Sequence, residues 1–549
     1  MTTDRHPGEG QPPVADDPDA DADGQTPLTG ADLSDEGDDV RAGGTHDVRG
    51  FGREGRMDAR TAAVSGARWL PFAQLINQAV RIALSIVLAW YLTTEEFGLV
   101  AVAMVVMVLI DSLADLGTGQ AIIQRRRLDA NLADAIFTLN TCIGVGLGLA
   151  IIVFAQPLTY LAGGPDAGDA VGLMQVLGIN VIIKSMGVVQ FALLRRRLMF
   201  RKAAWSLIAS ASLYLVVSLV LAVAGAGAWS IVIGTTAGSL ASVALTWVWS
   251  GWRPRLRFDW PAIRSVSGFS LNLTGTSLFN YATQNLDRVL IAWNLGTGPL
   301  GLYTLGTRIL RAPIITITHT VNQVQLPMMA RVQDDLAAQR RMFLQASAVA
   351  ALVVFPAMLG LTVLAEPIID FGLPPRWQGA TDLIMVMAPL GMLRTLWGLV
   401  SPIYVANGRT GLQFLWSIFF GGMLIVSYVL TSRVSVLAVV VGIAVVHVVA
   451  MPIVFHVPFG LIDLRFATYL RHLVSVSVAA AVMAAAVLAG RLGLESLGWG
   501  PAAVVAACVP LGVAVYGALV LLLRPPGVDE LLAILGRRTT APLAGRAMA

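Results

Sequence analysis

From residue 69 onward the chain alternates apolar stretches of 19 to 30 residues with short polar segments. About 20 apolar residues in a helix cross the roughly 30 Å hydrocarbon core of a bilayer, and a helix satisfies its own backbone polar groups there. The stretches fall at 69–92, 97–119, 136–162, 171–194, 205–225 and 228–249, then 266–295, 300–326, 343–371, 381–406, 410–431 and 434–460, with 472–490 and 501–523 last. The pattern predicts an all-α polytopic membrane protein of about fourteen transmembrane helices.

Composition agrees and sharpens the picture. Hydrophobic residues make up 56% of the 549 and charged residues 13%, which excludes a soluble enzyme. Charge is uneven: residues 1–58 hold 15 of the 34 acids and 5 of the 38 bases. This Gly-, Pro- and Asp-rich start is read as a disordered acidic tail. It lacks the apolar core of a secretory signal, so the first span is expected to serve as an uncleaved insertion signal. Cys142 and Cys508 lie in apolar runs and read as small buried hydrophobes. Lys184 and Lys202, the two lysines, lack the preceding glycines of a phosphate-binding loop. No ATPase activity, cofactor, metal site or nucleic-acid partner is expected.

Orientation follows from the connecting loops, because Lys and Arg stay cytoplasmic during insertion. Loops after even-numbered spans carry Arg125–Arg127, Arg195–Arg197 with Arg201 and Lys202, Arg253, Arg255, Arg257 and Arg264, Arg331, Arg340 and Arg341, Arg409, and Arg465 with Arg471. Loops after odd-numbered spans carry only Arg376, Arg433 and Arg491. Both termini are therefore expected in the cytoplasm, the protein lying in the plasma membrane. The expected organisation is a tail (1–60), an N-terminal six-helix lobe (61–260), a C-terminal six-helix lobe (261–462), helices 13 and 14 (463–524) and a cytoplasmic tail (525–549). Within it, 528–538 could form an amphipathic surface helix.

An internal repeat supports two lobes. LAWYLTTEEFGL at 88–99 and IAWNLGTGPLGL at 291–302 match in Ala, Trp, Leu, Gly and Leu at an offset of 203, which also pairs Asn77 with Asn280. Units six spans apart share one direction across the membrane, and such parallel repeats imply a pseudo-twofold axis along its normal.

Polar residues within the spans point to the chemistry. Gln74, Asn77, Gln78, Arg81 and Ser85 share one face of the first span. Ser270, Thr274, Ser277, Tyr281, Gln284 and Arg288, bordered by Asn280 and Asp287, do so in the seventh. Arg308 and Arg311, three apart on the eighth, are neighbours, with Pro313 following as a candidate kink. Lys184 and Arg394 sit near the middle of the fourth and tenth. An arginine at mid-membrane costs about 2.5–3.5 kcal/mol on insertion scales and faces a wet cavity, an acid or an anion. The embedded acids Asp111, Asp115, Asp287, Glu366 and Asp370 leave two readings: ion pairs such as Arg81–Asp111 and Arg288–Asp287 that lock helices, or a cationic cavity awaiting an anion. His319, His447 and His456 read as packing residues.

The phrases LADLGTGQAIIQ (113–124), NLDRVLIAWNLGTGPLGLYTLGTRILRAP (285–313) and VQLPMMARVQ (324–333) resemble those of the polysaccharide transporters of the multidrug/oligosaccharidyl-lipid/polysaccharide exporter superfamily. They are similar in particular to its teichuronic- and colanic-acid-exporter branch. The resemblance implies a V-shaped pair of six-helix lobes that alternately opens to each side. Its cargo would be an undecaprenyl-diphosphate-linked oligosaccharide, flipped for cell-surface polysaccharide synthesis, with a polysaccharide polymerase and glycosyltransferases as further candidate partners. Guanidinium groups suit a diphosphate, and amides suit sugar hydroxyls. Arg81, Lys184, Arg288, Arg308, Arg311 and Arg394 are thus the diphosphate candidates, and Asn77, Gln78, Asn280 and Gln284 the glycan candidates. Asp111, Asp115 and Asp287 are candidate ion carriers. The alternatives are a drug/cation antiporter of the same superfamily, against which the mid-helix Arg81 argues, and a membrane glycosyltransferase or polymer ligase, for which the outer loops are too short.

Overall fold

In the computed structural model, described for residues 56–115, 118–124, 130–256, 258–259, 281, 283 and 285–528, the regular elements of the described residues are all helical. The acidic tail, the segment 260–280 and the candidate surface helix beyond residue 528 lie outside the described residues. The first half contains α1 (Arg56–Tyr91), α2 (Thr94–Asp115), α3 (Thr118–Gln124), α4 (Ala130–Val153), α5 (Ala155–Gly163), α6 (Ala170–Ser185), α7 (Val188–Arg196), α8 (Phe200–Val223) and α9 (Trp229–Ser250). The second contains α10 (285–295), α11 (Thr297–Ala330), α12 (Leu336–Val363), α13 (Ala365–Gly372), α14 (Ala380–Gly398), α15 (Ser401–Ala406), α16 (Thr410–Thr431) and α17 (Val436–Leu461). Last come α18 (Phe466–Ser496) and α19 (Pro501–Leu523). Among the described residues, eleven helical stretches are long and apolar enough to cross a membrane. Helices α2 and α11, of 22 and 34 residues, pack against each other among them.

Four expected spans are each two helices. Breaks stand at Phe154, at Met186–Gly187, at Leu364 and at Leu399–Val400. Proline explains three: its ring clashes with the carbonyl four residues earlier and it lacks an N–H to bond it. Pro157, Pro367 and Pro402 stand two to three residues beyond the respective breaks. At the fourth, Gly187 lies where a Cβ would come within 2.7 Å of Val243. Pro313, in contrast, does not end α11, which continues through it to Ala330.

Helices α1, α8 and α9 pack together, with α4 and α6 against them and α2; α12, α14, α16 and α17 form the corresponding group of the second half. Helix α18 lies along α12, and α19 along α18 and α13. Arg491 of α18 fastens this addition, donating to Glu366, to Glu495 at 2.7 Å and to the Val363 carbonyl at 2.8 Å. Of the two cysteines, Cys508 is buried as expected, but Cys142 is exposed on α4.

The lobes meet along α2 and α11, and the sequence repeat is visible in the contact. A Cβ on Gly98 would overlap the Thr297 carbonyl oxygen, and one on Gly301 would overlap that of Thr94. Both glycines and both threonines are pairs at the offset of 203, so the crossing is reciprocal. The start of α2 is set by a capping box, in which the Thr93 N–H donates to Glu96 at 2.8 Å and the Glu96 N–H to the Thr93 hydroxyl at 3.2 Å. Beside it the Glu95 carboxyl is held below its usual range, chiefly by its own backbone N–H.

Around this crossing the C-terminal lobe holds the end of α1. Arg376 donates to the carbonyls of Leu92 at 3.1 Å, Ala89 at 3.1 Å and Trp90 at 2.7 Å, and the Trp377 indole to Ala89 at 2.9 Å. These carbonyls end α1, where the helix dipole favours a cation. The repeat-related tryptophans reach across in opposite directions, Trp90 to the Gly372 carbonyl and Trp293 to that of Leu161.

Candidate functional site

A cavity of about 210 Å³ lies between the lobes, lined by Gln78 of α1, Phe97, Val100, Ala101 and Met104 of α2, Ile231 of α9, Arg288 of α10, and Thr304, Arg308, Arg311 and Ile315 of α11. At ~30 Å³ per water it has room for about seven waters. The polar groups stand on α1, α10 and α11, and α2 supplies an apolar wall. Helical spacing explains the α11 contribution: Thr304, Arg308, Arg311 and Ile315 recur at steps of three and four, one stripe on one face.

Arg288, Arg308 and, behind them, Arg81 are held by neutral groups. Arg288 donates to Asn285 at 3.1 Å, one turn back. Arg308 crosses between lobes to the Ser85 hydroxyl at 2.7 Å, and that hydroxyl donates to the Arg81 carbonyl at 2.6 Å. Arg81 donates through Nε to Asn77 at 2.8 Å and lies 5.0 Å from the Tyr214 ring centroid, a cation–π arrangement. Arg308 sits in the electrostatic field of Arg81 and Arg288, and Arg311 in that of Arg288, Arg394 and the opposing carboxylate Asp287. Five guanidinium groups thus converge on one region. Among the described residues none of the five forms an ion pair with a carboxylate.

Among the described residues the ion pair Arg288–Asp287, the helix-locking alternative of the two readings, is not formed. Asp287 instead accepts from the backbone N–H of Arg288 at 2.8 Å and from the Tyr303 hydroxyl, its carboxylate turned into the buried side of the C-terminal lobe. A residue and its successor lie about 100° apart on a helix, so Arg288 can face the cavity while Asp287 faces the core. Asn77 is likewise employed within the protein: its amide N–H₂ donates to the Leu207 carbonyl at 3.1 Å while its oxygen holds Arg81. Of the glycan candidates, Gln78 lines the cavity. Asn280 and Gln284 lie outside the described residues, as do the side chains of Asp111 and Asp115. Lys184, on α6, and Arg394, on α14, stand outside the lining. His447 packs against Trp397 and Phe420, its Nδ1 2.8 Å from the Ile443 carbonyl. Tyr214 and Tyr303 were not legible as site residues, nor was Ser85 of the polar face as the partner of Arg308, because these contacts join residues 133, 16 and 223 positions apart.

A family model described as polysaccharide biosynthesis protein matches residues 87–382, more than half of the chain. The chain belongs to this family. It is 25% identical over 369 residues to the lipopolysaccharide biosynthesis protein WzxC of Escherichia coli strain K12, covering 66% of this chain and 74% of that protein. To the succinoglycan biosynthesis transport protein ExoT of Rhizobium meliloti strain 1021 it is 27% identical over 333 residues, 60% of this chain and 67% of ExoT. Its fold is similar to that of the lipid II flippase MurJ in an inward closed conformation, with a TM-score of 0.68 at 12% identity over 84% of this chain and 99% of MurJ. The expected family and the expected multi-pass, transporter-type helical fold therefore stand.

Proposed function

We propose that the protein flips polyprenyl-diphosphate-linked oligosaccharide repeat units from the cytoplasmic to the outer leaflet of the plasma membrane for cell-surface polysaccharide synthesis. The observation that carries this reading is the cavity between the lobes, where Arg288, Arg308 and Arg311 present guanidinium groups without carboxylate partners among the described residues. Forked, permanently charged donors in a partly dry site suit a diphosphate, which binds them through paired charge-assisted hydrogen bonds. A cationic drug would meet repulsion there. Arg81 and Arg394 add to the same positive field from the walls. The lipid chain stays in the bilayer while the polar head passes between lobes that part first on one side and then on the other.

The loop arginines orient the protein with both termini in the cytoplasm. With the cell interior negative, moving two negative charges outward is favoured by about 4–5 kcal/mol at 100 mV, so the membrane potential alone can drive the net transfer.

The test is reconstitution in liposomes with undecaprenyl-diphosphate-linked oligosaccharide and an outer-leaflet glycan probe. The intact protein is expected to expose the glycan. Arg308→Ala and Arg311→Ala, correctly inserted, are each expected to slow this by about tenfold or more, given ~1.5–3 kcal/mol per charged hydrogen bond. Gradient-driven efflux of a cationic drug, indifferent to both substitutions, would overturn the reading in favour of an antiporter.

A further inference from the structure

The cavity-lining stripe of α11 does not stop at Ile315. Steps of four carry it to His319 and Gln323, one and two turns further along the same helix. At Arg308 this face touches α1 through Ser85. At His319 and Gln323 it is exposed, and the two side chains bond each other, Gln323 Nε2 to His319 Nδ1 at 3.2 Å. The flank of the helix beside it is where α11 packs at this level: Asn322 donates to the Gly398 carbonyl at 2.9 Å and Gln325 to that of Leu399 at 3.3 Å. The face that meets the other lobe at Arg308 is therefore open at His319.

Helix α1 shows the same opening. Gln78 lines the cavity, and Gln74, one turn further from the lobe crossing, is exposed. Ser85 and Arg308 mark a common level, since they are in contact. Eleven residues from each, about 16 Å along both helices, stand Gln74 and His319. An amide and an imidazole from opposite lobes thus occupy one depth on the arginine-loop side of the cavity, and the Gln323 amide lies one turn, about 6 Å, beyond His319. Helix α11 carries no Asp, Glu, Lys or Arg between residues 312 and 330. The site offers amide donors and acceptors and a flat ring, a set suited to sugar hydroxyls.

We propose that Gln74, His319 and Gln323 form a glycan subsite that holds neutral sugars of the lipid-linked oligosaccharide while its diphosphate rests on Arg288, Arg308 and Arg311. This rests on the flippase reading and adds to it the residues that recognise sugar. His319 lies about 12 Å beyond Arg311 along α11, which places the subsite over sugars beyond the one bonded to the diphosphate.

Binding by the purified full-length protein separates the two readings. The probes are undecaprenyl diphosphate and the same lipid bearing a short neutral hexose oligosaccharide. His319→Ala combined with Gln323→Ala, and Gln74→Ala separately, are expected to weaken binding of the oligosaccharide lipid about tenfold and leave the sugarless lipid unchanged. Arg308→Ala is expected to weaken both. Because the three residues are exposed, the variants should keep the wild-type thermal transition, measured in parallel. Variants that bind both lipids as the wild type does, or lose both equally, overturn the subsite while leaving the flippase reading in place. A wild-type protein that binds neither lipid overturns both.

Discussion

Asn77 and Gln78 stand side by side on the polar face of α1 and serve different ends. The i,i+4 spacing from Asn77 to Arg81 lets the amide oxygen hold the guanidinium, while its N–H₂ is anchored on α8 at Leu207. Gln78 is left to the cavity. With the Tyr214 ring beneath it, Arg81 is a fixed charge behind Ser85 and Arg308. Asn77→Ala should therefore free Arg81 without removing charge. Flipping is expected to fall severalfold, less than in Arg308→Ala, while Asn77→Asp, which keeps the acceptor, retains more activity than alanine; the liposome assay reads both. Which members of the polar face bind each other was not legible, because Leu207 is 130 positions from Asn77 and Tyr214 is 133 from Arg81.

At the scale of elements, the helices follow from local rules and their junctions from a few residues. Three breaks obey proline geometry, and α2 begins at a capping box written plainly in Thr93-Thr94-Glu95-Glu96. The crossing of α2 and α11 depends on two glycines whose missing side chains admit the opposing carbonyl oxygens. The repeat showed that Gly98 and Gly301 correspond, but their contact with Thr297 and Thr94 appears only when the lobes are together. A methyl at either position meets backbone, which cannot rotate aside. Gly98→Ala and Gly301→Ala are each expected to lower stability by about 1–3 kcal/mol, the usual cost of overpacking. Thermal unfolding in detergent checks this, with Gly422→Ala, where a Cβ meets nothing within 4 Å, as the control.

For the whole molecule, the two halves are joined unequally at their two ends. On the side of the short, arginine-poor loops, Arg376 and Trp377 clasp the end of α1, and the paired tryptophans tie the lobes in both directions. On the other side, Gln74, His319 and Gln323 are exposed. This is the arrangement of a transporter closed on the side of the arginine-poor loops. Removing the clasp should favour the opposite state, since three bonds to a charged donor are lost at once. Arg376→Ala is expected to raise labelling of a Thr304→Cys reporter by a membrane-impermeant maleimide added outside, about tenfold, with Cys142 and Cys508 replaced. Unchanged labelling would mean that the glycine crossing and the tryptophan bonds hold the lobes without Arg376.

What the chain determines by itself is whatever depends on neighbours in sequence: the hydropathy that commits it to a membrane, the helical period, the proline breaks, the repeat, and the excess of embedded arginine over acid. Segments of about twenty residues carry that information whole. Tertiary structure alone decided that Asp287 turns to Tyr303 rather than to Arg288, that Arg308 reaches Ser85 across the lobes, and where the halves part. Those outcomes depend on residues as many as 223 positions apart competing for one partner, and a partner at that distance is chosen by packing.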